Sequence, residues 1–454
     1  MPEIILVAGL GFGDEGKGSV VDYLVRRHNA HTVIRYNGGA QAAHNVQTPD
    51  GRHHTFSQFG SGTFVPDVQT HLSRFVLINP LSMLKEEEHL HKVGVTDAFS
   101  RTTIERDALL TTPFQISYNR LLEIFRGDNK HGTCGMGIGV TVEDHLKFGD
   151  KVLFIRDLAD PHTVRRKLLF LQQEKFWETL EILSNLPRTD SVEKELAILR
   201  DADVVDECLR RFLHFASLIN MVDESFLRKL LNSGGDVIFE GAQGVLLDKN
   251  YGFYPHITKT DITFDNTKTL LKEASYEGAV KKIGVLRGYL TRHGVGPFVT
   301  EDTYLTEFLP EEHNLAHEWQ GKFRVGYFDT VAIRYALEVI GGVDEITLTN
   351  LDRMVGLPEV KICTAYEMPA RYDSHFGYEG EKVVRIKVAR PASAARQTDL
   401  TCCLKQASPL YQSFPLRSKE NLYTHVDTLR KILNTPITTF SFGPTAGDKE
   451  IPVP

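Results

Sequence analysis

Two acids and a lysine set among four glycines form the first chemically legible feature of the chain, Gly11-Phe12-Gly13-Asp14-Glu15-Gly16-Lys17-Gly18-Ser19. Its G-x-G-x-x-G spacing fits a dinucleotide fingerprint, and its G-x-x-x-x-G-K spacing fits the start of a P-loop. Both motifs use glycine so that backbone N–H groups and a helix N-terminus can face phosphate. A dinucleotide site wants an acid about twenty positions further on. Arg35-Tyr36-Asn37 stands there instead. Lys17 suits a phosphate, but Gly18 occupies the place of the P-loop Ser or Thr that holds magnesium. Acids inside a phosphate loop repel phosphate unless a cation lies between, or one of them acts as a base. Asp14 is therefore a candidate magnesium ligand or general base. The plain alternative is an ordinary tight turn ahead of a helix.

Such a loop needs a strand before it and a helix after it. Ile4-Ile5-Leu6-Val7-Ala8 is continuous, β-branched and ended by glycine, which predicts a buried parallel strand. Apolar residues at helical spacing predict a helix over Ser19–Arg27, and His31–Tyr36 reads as a second strand. Further strands are expected at Phe75–Ile78, Val152–Ile155, Val237–Phe239, Lys282–Leu286, Glu345–Leu348, Lys361–Tyr366, Val383–Val388 and Thr438–Phe442. Val331–Ile340 is an amphipathic helix, and Val164 to Leu231 carries Leu, Phe and Ile at helical spacing. The expected fold is α/β: a large, mostly parallel, twisted sheet with helices on both faces and a P-loop-like glycine loop after the first strand. Residues 1–454 read as one domain, with a helical insertion or subdomain over about 160–232.

Composition narrows the partners. The 454 residues carry a net charge of -7, with 41% hydrophobic and 24% charged residues, so the chain lacks both the basic field of a nucleic-acid binder and the bias of a disordered protein. Only a short apolar run precedes the first glycine loop, and no stretch approaches the ~18 apolar residues of a membrane span. The five cysteines, Cys134, Cys208, Cys363, Cys402 and Cys403, form no C-x-x-C pair and read as reduced thiols. A cytoplasmic protein with no membrane association is the expectation.

Nine segments in order resemble the adenylosuccinate synthetase family from end to end. They are GDEGKGS (Gly13–Ser19), Arg35-Tyr36-Asn37-Gly38-Gly39 with His44, GTCGMGIG (Gly132–Gly139), FEGAQGVLLD (Phe239–Asp248), YGFYPHIT (Tyr251–Thr258), TRHGVGPFVTE (Thr291–Glu301), GYFDTVAIRYA (Gly326–Ala336), LTNLD (Leu348–Asp352) and SFGP (Ser441–Pro444). The resemblance implies a magnesium-dependent, GTP-driven ligase that joins L-aspartate to C6 of a purine nucleotide, IMP, through a 6-phosphoryl intermediate. It also implies a homodimer.

By the same resemblance, Asp14 would take the N1 proton and His44 would support the transferring phosphoryl group, with Lys17 and Gln243 completing the catalytic set. Gly13, Asp14, Glu15, Gly16, Lys17, Gly18 and Ser19 would hold the GTP phosphates. Asn350, Leu351, Asp352, Ser441, Gly443 and Pro444 would surround its guanine. Gln41, Thr133, Cys134, Gln243 and Thr258 would meet the acceptor nucleotide, and Lys322 and Arg324 would meet aspartate. Magnesium would rest on Asp14 and the backbone carbonyl of Ala43.

Departures from the family pattern gather around the acceptor. Gln41 stands for Asn, Ala43 for Gly, Cys134 for Thr and Met136 for Arg. The arginine that the family supplies from its partner subunit aligns near Phe148, beside Lys147, and the loop Trp319–Arg324 is shorter and less basic. Two alternatives follow. One is the same chemistry on another purine nucleotide, such as dGMP on the way to 2-aminoadenine, or on another amino acid. The other is a nucleotide-binding protein with degraded catalysis. The branch acting on dGMP commonly replaces the residue at the position of Asp14, which is present here. Retention of Asp14, Lys17, His44 and Gln243 together speaks against lost catalysis.

Overall fold

The computed structural model describes residues 3–311, 319–416 and 419–451. Ten strands form its central sheet, in the spatial order Lys449–Glu450, Ile437–Ser441, Glu345–Thr349, Val280–Arg287, Ile4–Gly9, Val237–Gly244, Thr32–Arg35, Gln69–Leu72, Thr102–Glu105, Asn220–Val222. Neighbours run parallel except Lys449–Glu450, which pairs antiparallel with Ile437–Ser441 at one edge.

Alternate residues of the first strand enter different cores, which is why it is apolar throughout. Ile5 and Val7 pack with Val20, Val21, Leu24 and Val25 of the helix Lys17–His28. Ile4, Leu6 and Ala8 join a larger core with Leu270 and Leu271 of helix Asp265–Glu273 and with Ile333 and Val339 of helix Thr330–Ile340. Helices therefore cover both faces.

Residues 161–232 carry four α-helices and one strand: Pro161–Ile182, Asp190–Arg200, Asp203–Leu218, Asn220–Val222 and Ser225–Asn232. Asp160 starts the first by accepting the His162 and Thr163 N–H groups ahead of Pro161, an N-cap with proline at the first helical position. Leu168, Leu171, Leu196, Phe212 and Phe215 build a separate core with Phe114 and Leu121 of helix Pro113–Arg126. Val46 and Phe56, from the hairpin His44–Gln47/His53–Phe56, also belong to it.

Three sequence expectations change. Phe75–Ile78 is not a strand: Leu77 and Ile78 make only isolated bridges, to Gly39 and Leu110. The sheet position is filled by Gln69–Leu72, whose buried His71 and Thr70 hid it from a hydrophobicity pattern. Val152–Ile155 is likewise one bridge, Leu109 to Phe154, because the Asp157 carboxylate takes the Phe154 N–H and turns the chain into a 3₁₀ helix. Lys361–Tyr366 and Val383–Val388 do form strands, Glu359–Glu367 and Lys382–Ile386. Both lie in a second, largely antiparallel sheet outside the central one. Among the described residues no helix is long and apolar enough to cross a membrane.

Candidate active site

The glycine loop leaves the end of the first strand and enters the helix Lys17–His28 directly. Its two acids part company. Glu15 turns inward: its carboxylate accepts the Gly11 and Gly13 N–H groups at 3.0 and 2.9 Å and the Lys17 ammonium at 2.5 Å. It organises the loop from within. Asp14 turns the other way, with φ 60°, a left-handed conformation that Asp tolerates at some strain. The Arg287 guanidinium fixes that turn by donating to the Asp14 carbonyl at 2.5 Å, and Arg287 is itself paired with Glu311 at 2.6 Å. The Asp14 carboxylate lines a cavity and has no hydrogen-bond donor among the described residues. Burial raises its pKa above the ordinary carboxylate value, against the opposing charges of Arg287 and His293. A desolvated carboxylate with a raised pKa is suited to accept a proton.

His44 begins the hairpin that lies on this loop. A Cβ at Gly18 would stand 2.8 Å from the His44 carbonyl carbon and 2.9 Å from its Cβ. The departure from Ser or Thr at position 18 is thus a matter of close approach. The buried His44 ring meets Glu240 of strand Val237–Gly244, Nδ1 to Oε1 at 2.6 Å. Glu240 also accepts the Ser61 N–H at 3.0 Å and the Ser61 hydroxyl. Burial would raise the Glu240 carboxyl, but Arg35, His44 and Ser61 hold it down to about 2. An ionised carboxylate only accepts, so Nδ1 carries the proton and Nε2 is left free. Burial brings His44 down to about 4 despite Glu240, leaving a neutral imidazole.

The cavity, about 380 Å³, gathers Gly13, Asp14, Gly16, Lys17, Gly18, Gln41, Ala43, His44, Thr133, Cys134, Gln243 and Thr258. One wall is a loop of three left-handed glycines, Gly132, Gly135 and Gly137, opening into helix Ile138–Phe148. Buried Glu123 anchors that loop through the Gly132 and Thr133 N–H groups, and Asn119 donates to the Thr133 hydroxyl at 3.0 Å. Asn37 sets the opposite wall by accepting from Ala242 N–H at 2.7 Å and donating to the Asp261 carbonyl at 3.0 Å. Gln243, again left-handed at φ 58°, follows. Its Oε1 and both polar atoms of the Gln41 carboxamide are buried without a partner among the described residues. Burial pushes the Cys134 thiol up to about 11, so it is no nucleophile at neutral pH.

Other expected residues stand elsewhere. Ser19 donates to the Gly16 carbonyl, closing the first helical turn. Asn350, Leu351 and Asp352 follow strand Glu345–Thr349, while Gly443 and Pro444 follow strand Ile437–Ser441, which Ser441 ends. None of these lines the cavity, but the Thr349 hydroxyl reaches the Glu15 carbonyl at 2.6 Å and ties this end of the sheet to the glycine loop. Asp352 is exposed, its carboxyl raised by partial burial and by nearby Asp448. Ser441 donates to the Gly443 carbonyl at 3.0 Å. Arg324 is held by Glu301 at 2.7 Å and by the Gly296 carbonyl, and Lys322 is exposed. Lys147 turns away to Glu178 at 2.7 Å, and Phe148 packs edge-on against Phe170.

Sequence reasoning missed Glu240 and Arg287. Both are charged residues on strands of the buried sheet, and that is the signal available to find them, since a buried charge needs a partner.

The adenylosuccinate synthetase family model matches residues 6–449. An adenylosuccinate synthetase of Chlorobium chlorochromatii is 30% identical over 448 residues, covering 98% of this chain and 96% of the relative. One from Pelodictyon phaeoclathratiforme is 32% identical over 386 residues, 84% of each chain. The fully ligated adenylosuccinate synthetase of Plasmodium falciparum superposes with a TM-score of 0.77 at 22% identity, over 99% of both chains. A cyanophage S-2L succinoaminodeoxyadenylate synthetase, bound to dGMP with dATP as an energy donor, superposes with a TM-score of 0.60 at 14% identity, over 99% of this chain and 95% of that one. Both likenesses concern the fold.

Proposed function

Because the chain belongs to the adenylosuccinate synthetase family, a family of ligases, we propose that it joins L-aspartate to C6 of IMP at the expense of GTP. The observation that carries the reading is the convergence of Asp14, Lys17, His44 and Gln243 on one cavity. C6 of a purine lactam bears a poor leaving group, so its oxygen is first phosphorylated and phosphate then leaves as the amine adds. Asp14 removes the N1 proton and makes O6 nucleophilic. O6 attacks the γ-phosphorus, and the bond from phosphorus to the GDP oxygen breaks. His44, oriented by Glu240, presents Nε2 to the transferring group. Lys17 offsets phosphate charge. The Gln243 Oε1, buried without a partner among the described residues, is placed to bond the purine.

The donor set fits magnesium. The Asp14 carboxylate and the Ala43 carbonyl are hard oxygens at the cavity, and magnesium bound by few protein oxygens keeps room for phosphates and water. When bound, the ion would neutralise phosphate charge. Asp352, with Asn350, Ser441 and Gly443, would read guanine. Lys322 and Arg324 would meet the aspartate carboxylates.

A homodimer accounts for the exposed Leu146 and Trp177, at 80% and 56%, on helices Ile138–Phe148 and Pro161–Ile182. The second reading, the same chemistry on another purine nucleotide such as dGMP, is favoured by the altered acceptor wall, where Gln41 and Cys134 line the cavity. Phosphate release with IMP, dIMP, GMP or dGMP, each with GTP or ATP and aspartate, tests both readings. No release with IMP would overturn the first.

A further inference from the structure

An acceptor that is a nucleoside monophosphate brings an anion to the cavity wall opposite the glycine loop, and that wall must supply positive charge. Most cations there are committed. Arg292 is buried, spends its donors on the carbonyls of Val295, Pro297 and His256, and stacks on Phe12 at 4.3 Å. Arg126 is paired at 2.6 Å with Glu123, whose other oxygen holds the Gly132 and Thr133 N–H groups. Detaching Arg126 would leave a buried carboxylate unpaired. Burial lowers the pKa of His131 and of His256, the latter to about 4, and so disfavours a charge on either ring.

Lys259 differs. It directly follows Thr258, and its stem runs against the first turn of helix Ile138–Phe148: a Cβ on Gly139 would stand 3.2 Å from its Cγ. Among the described residues its ammonium makes one salt bridge, to Glu143 at 3.0 Å, and lies 5.8 Å from the Tyr254 ring centre; the Lys259 and Glu143 side chains are well exposed, 38% and 55%. An exposed pair of this kind is held by little free energy and exchanges readily for a dianion. The same helix start faces the cavity through Ile138, Gly139 and Val140, and an N-terminal turn favours anions. Gly39 shows what lies beside it: a Cβ there would meet Ile138 Cδ1 at 2.9 Å and Gln41 Oε1 at 3.1 Å. The buried, unpartnered Gln41 carboxamide thus sits at that turn.

We propose that Lys259, released from Glu143, binds the 5′-phosphate of the acceptor nucleotide together with the helix start and Gln41, so that this charge comes from within the same chain. The proposal rests on the acceptor being a nucleoside monophosphate. It explains how Phe148 can pack away from the site without leaving the phosphate unmet.

The test compares the wild type with Lys259→Met, Lys259→Arg and Glu143→Gln. Calorimetry would follow IMP, dGMP and their parent nucleosides, and phosphate release would follow turnover. Lys259→Met is expected to weaken monophosphate binding roughly ten- to a hundredfold, the weight of one charged hydrogen bond. Nucleoside binding and the KM for GTP should hold, Lys259→Arg should recover most of the loss, and Glu143→Gln should tighten the monophosphate by removing a competitor. Unchanged monophosphate binding in Lys259→Met, or an equal loss for the nucleoside, overturns the assignment. Absence of turnover in the wild type overturns the ligase reading instead, while the calorimetric comparison still decides Lys259.

Discussion

Glu240 holds the Nδ1 hydrogen of His44 across 2.6 Å, both side chains being buried, and Ser61 holds Glu240 in turn. A carboxylate behind an imidazole fixes the ring and supports the imidazolium when phosphate charge builds at Nε2. Glu240→Gln keeps an acceptor for the ring and removes the charge. It should lower kcat on the order of 10²-fold while the KM for GTP moves little. The measurement is steady-state phosphate release, and a kcat near the wild-type value would dismiss Glu240 as a support of catalysis.

Asp14→Asn preserves the left-handed turn, which Asn adopts as readily as Asp, and keeps the carbonyl contact with Arg287. The carboxylate that serves as base and as magnesium ligand becomes a neutral amide, so nucleotide affinity is compared without magnesium. Turnover should vanish while the melting temperature and a fluorescent GTP analogue's affinity stay close to wild type. Residual turnover above about one per cent would assign proton removal to another group.

Gly18→Ala tests the contact between loop and hairpin. The added methyl would press on the His44 backbone at 2.8 Å and push the hairpin off the glycine loop. Loss of kcat should far exceed loss of stability. An active alanine variant would mean that the hairpin yields without moving the ring.

These contacts mark what the sequence could and could not show. The first strand, the glycine loop and the Val237–Phe239 part of strand Val237–Gly244 were legible because runs buried on both faces of a parallel sheet are apolar. Gln69–Leu72 was not, since His71 is satisfied by Thr103 and Glu105 across the sheet, a pairing without local trace. For the site, the spacing of the glycine loop brought Asp14 and Lys17 into view, and the family resemblance added His44 and Gln243. The inward turn of Glu15 is a local contact with loop N–H groups that spacing does not specify, while the pairing of Lys147 with Glu178 joins residues far apart in sequence.

Asp352 can accept two guanine donors, whereas adenine would set a lone pair against the carboxylate. Asp352→Asn should cut kcat/KM for GTP roughly ten- to a hundredfold and leave ATP nearly unaffected, narrowing the preference. Parallel rates with both nucleotides give the answer, and an unchanged GTP to ATP ratio would show that the base is read elsewhere.

His425 is fully buried beside Phe414, and neither ring nitrogen has a partner among the described residues. Burial lowers its pKa from 6.5 to about 4. The unfolded chain therefore binds the extra proton between these values, so this proton-linked cost is absent above pH 6.5 and grows as pH falls toward 4, on top of the cost of the unsatisfied ring. His425→Leu should stabilise the protein by about 1–3 kcal/mol at neutral pH, with a larger gain at pH 5. Urea midpoints at the two pH values check the sign, and a destabilised variant at both would refute it.

Asp14 hangs from the sheet and its flanking cores, whereas His44 starts a hairpin whose Val46 and Phe56 belong to the core of the helical region. Thr133 is fastened to that second core through Glu123 and Asn119 on helix Pro113–Arg126. The cavity is consequently a seam between two bodies of packed side chains. A nucleotide that grips both sides acts as a thermodynamic rivet: its binding energy is added to the cohesion between the cores and makes them melt as one.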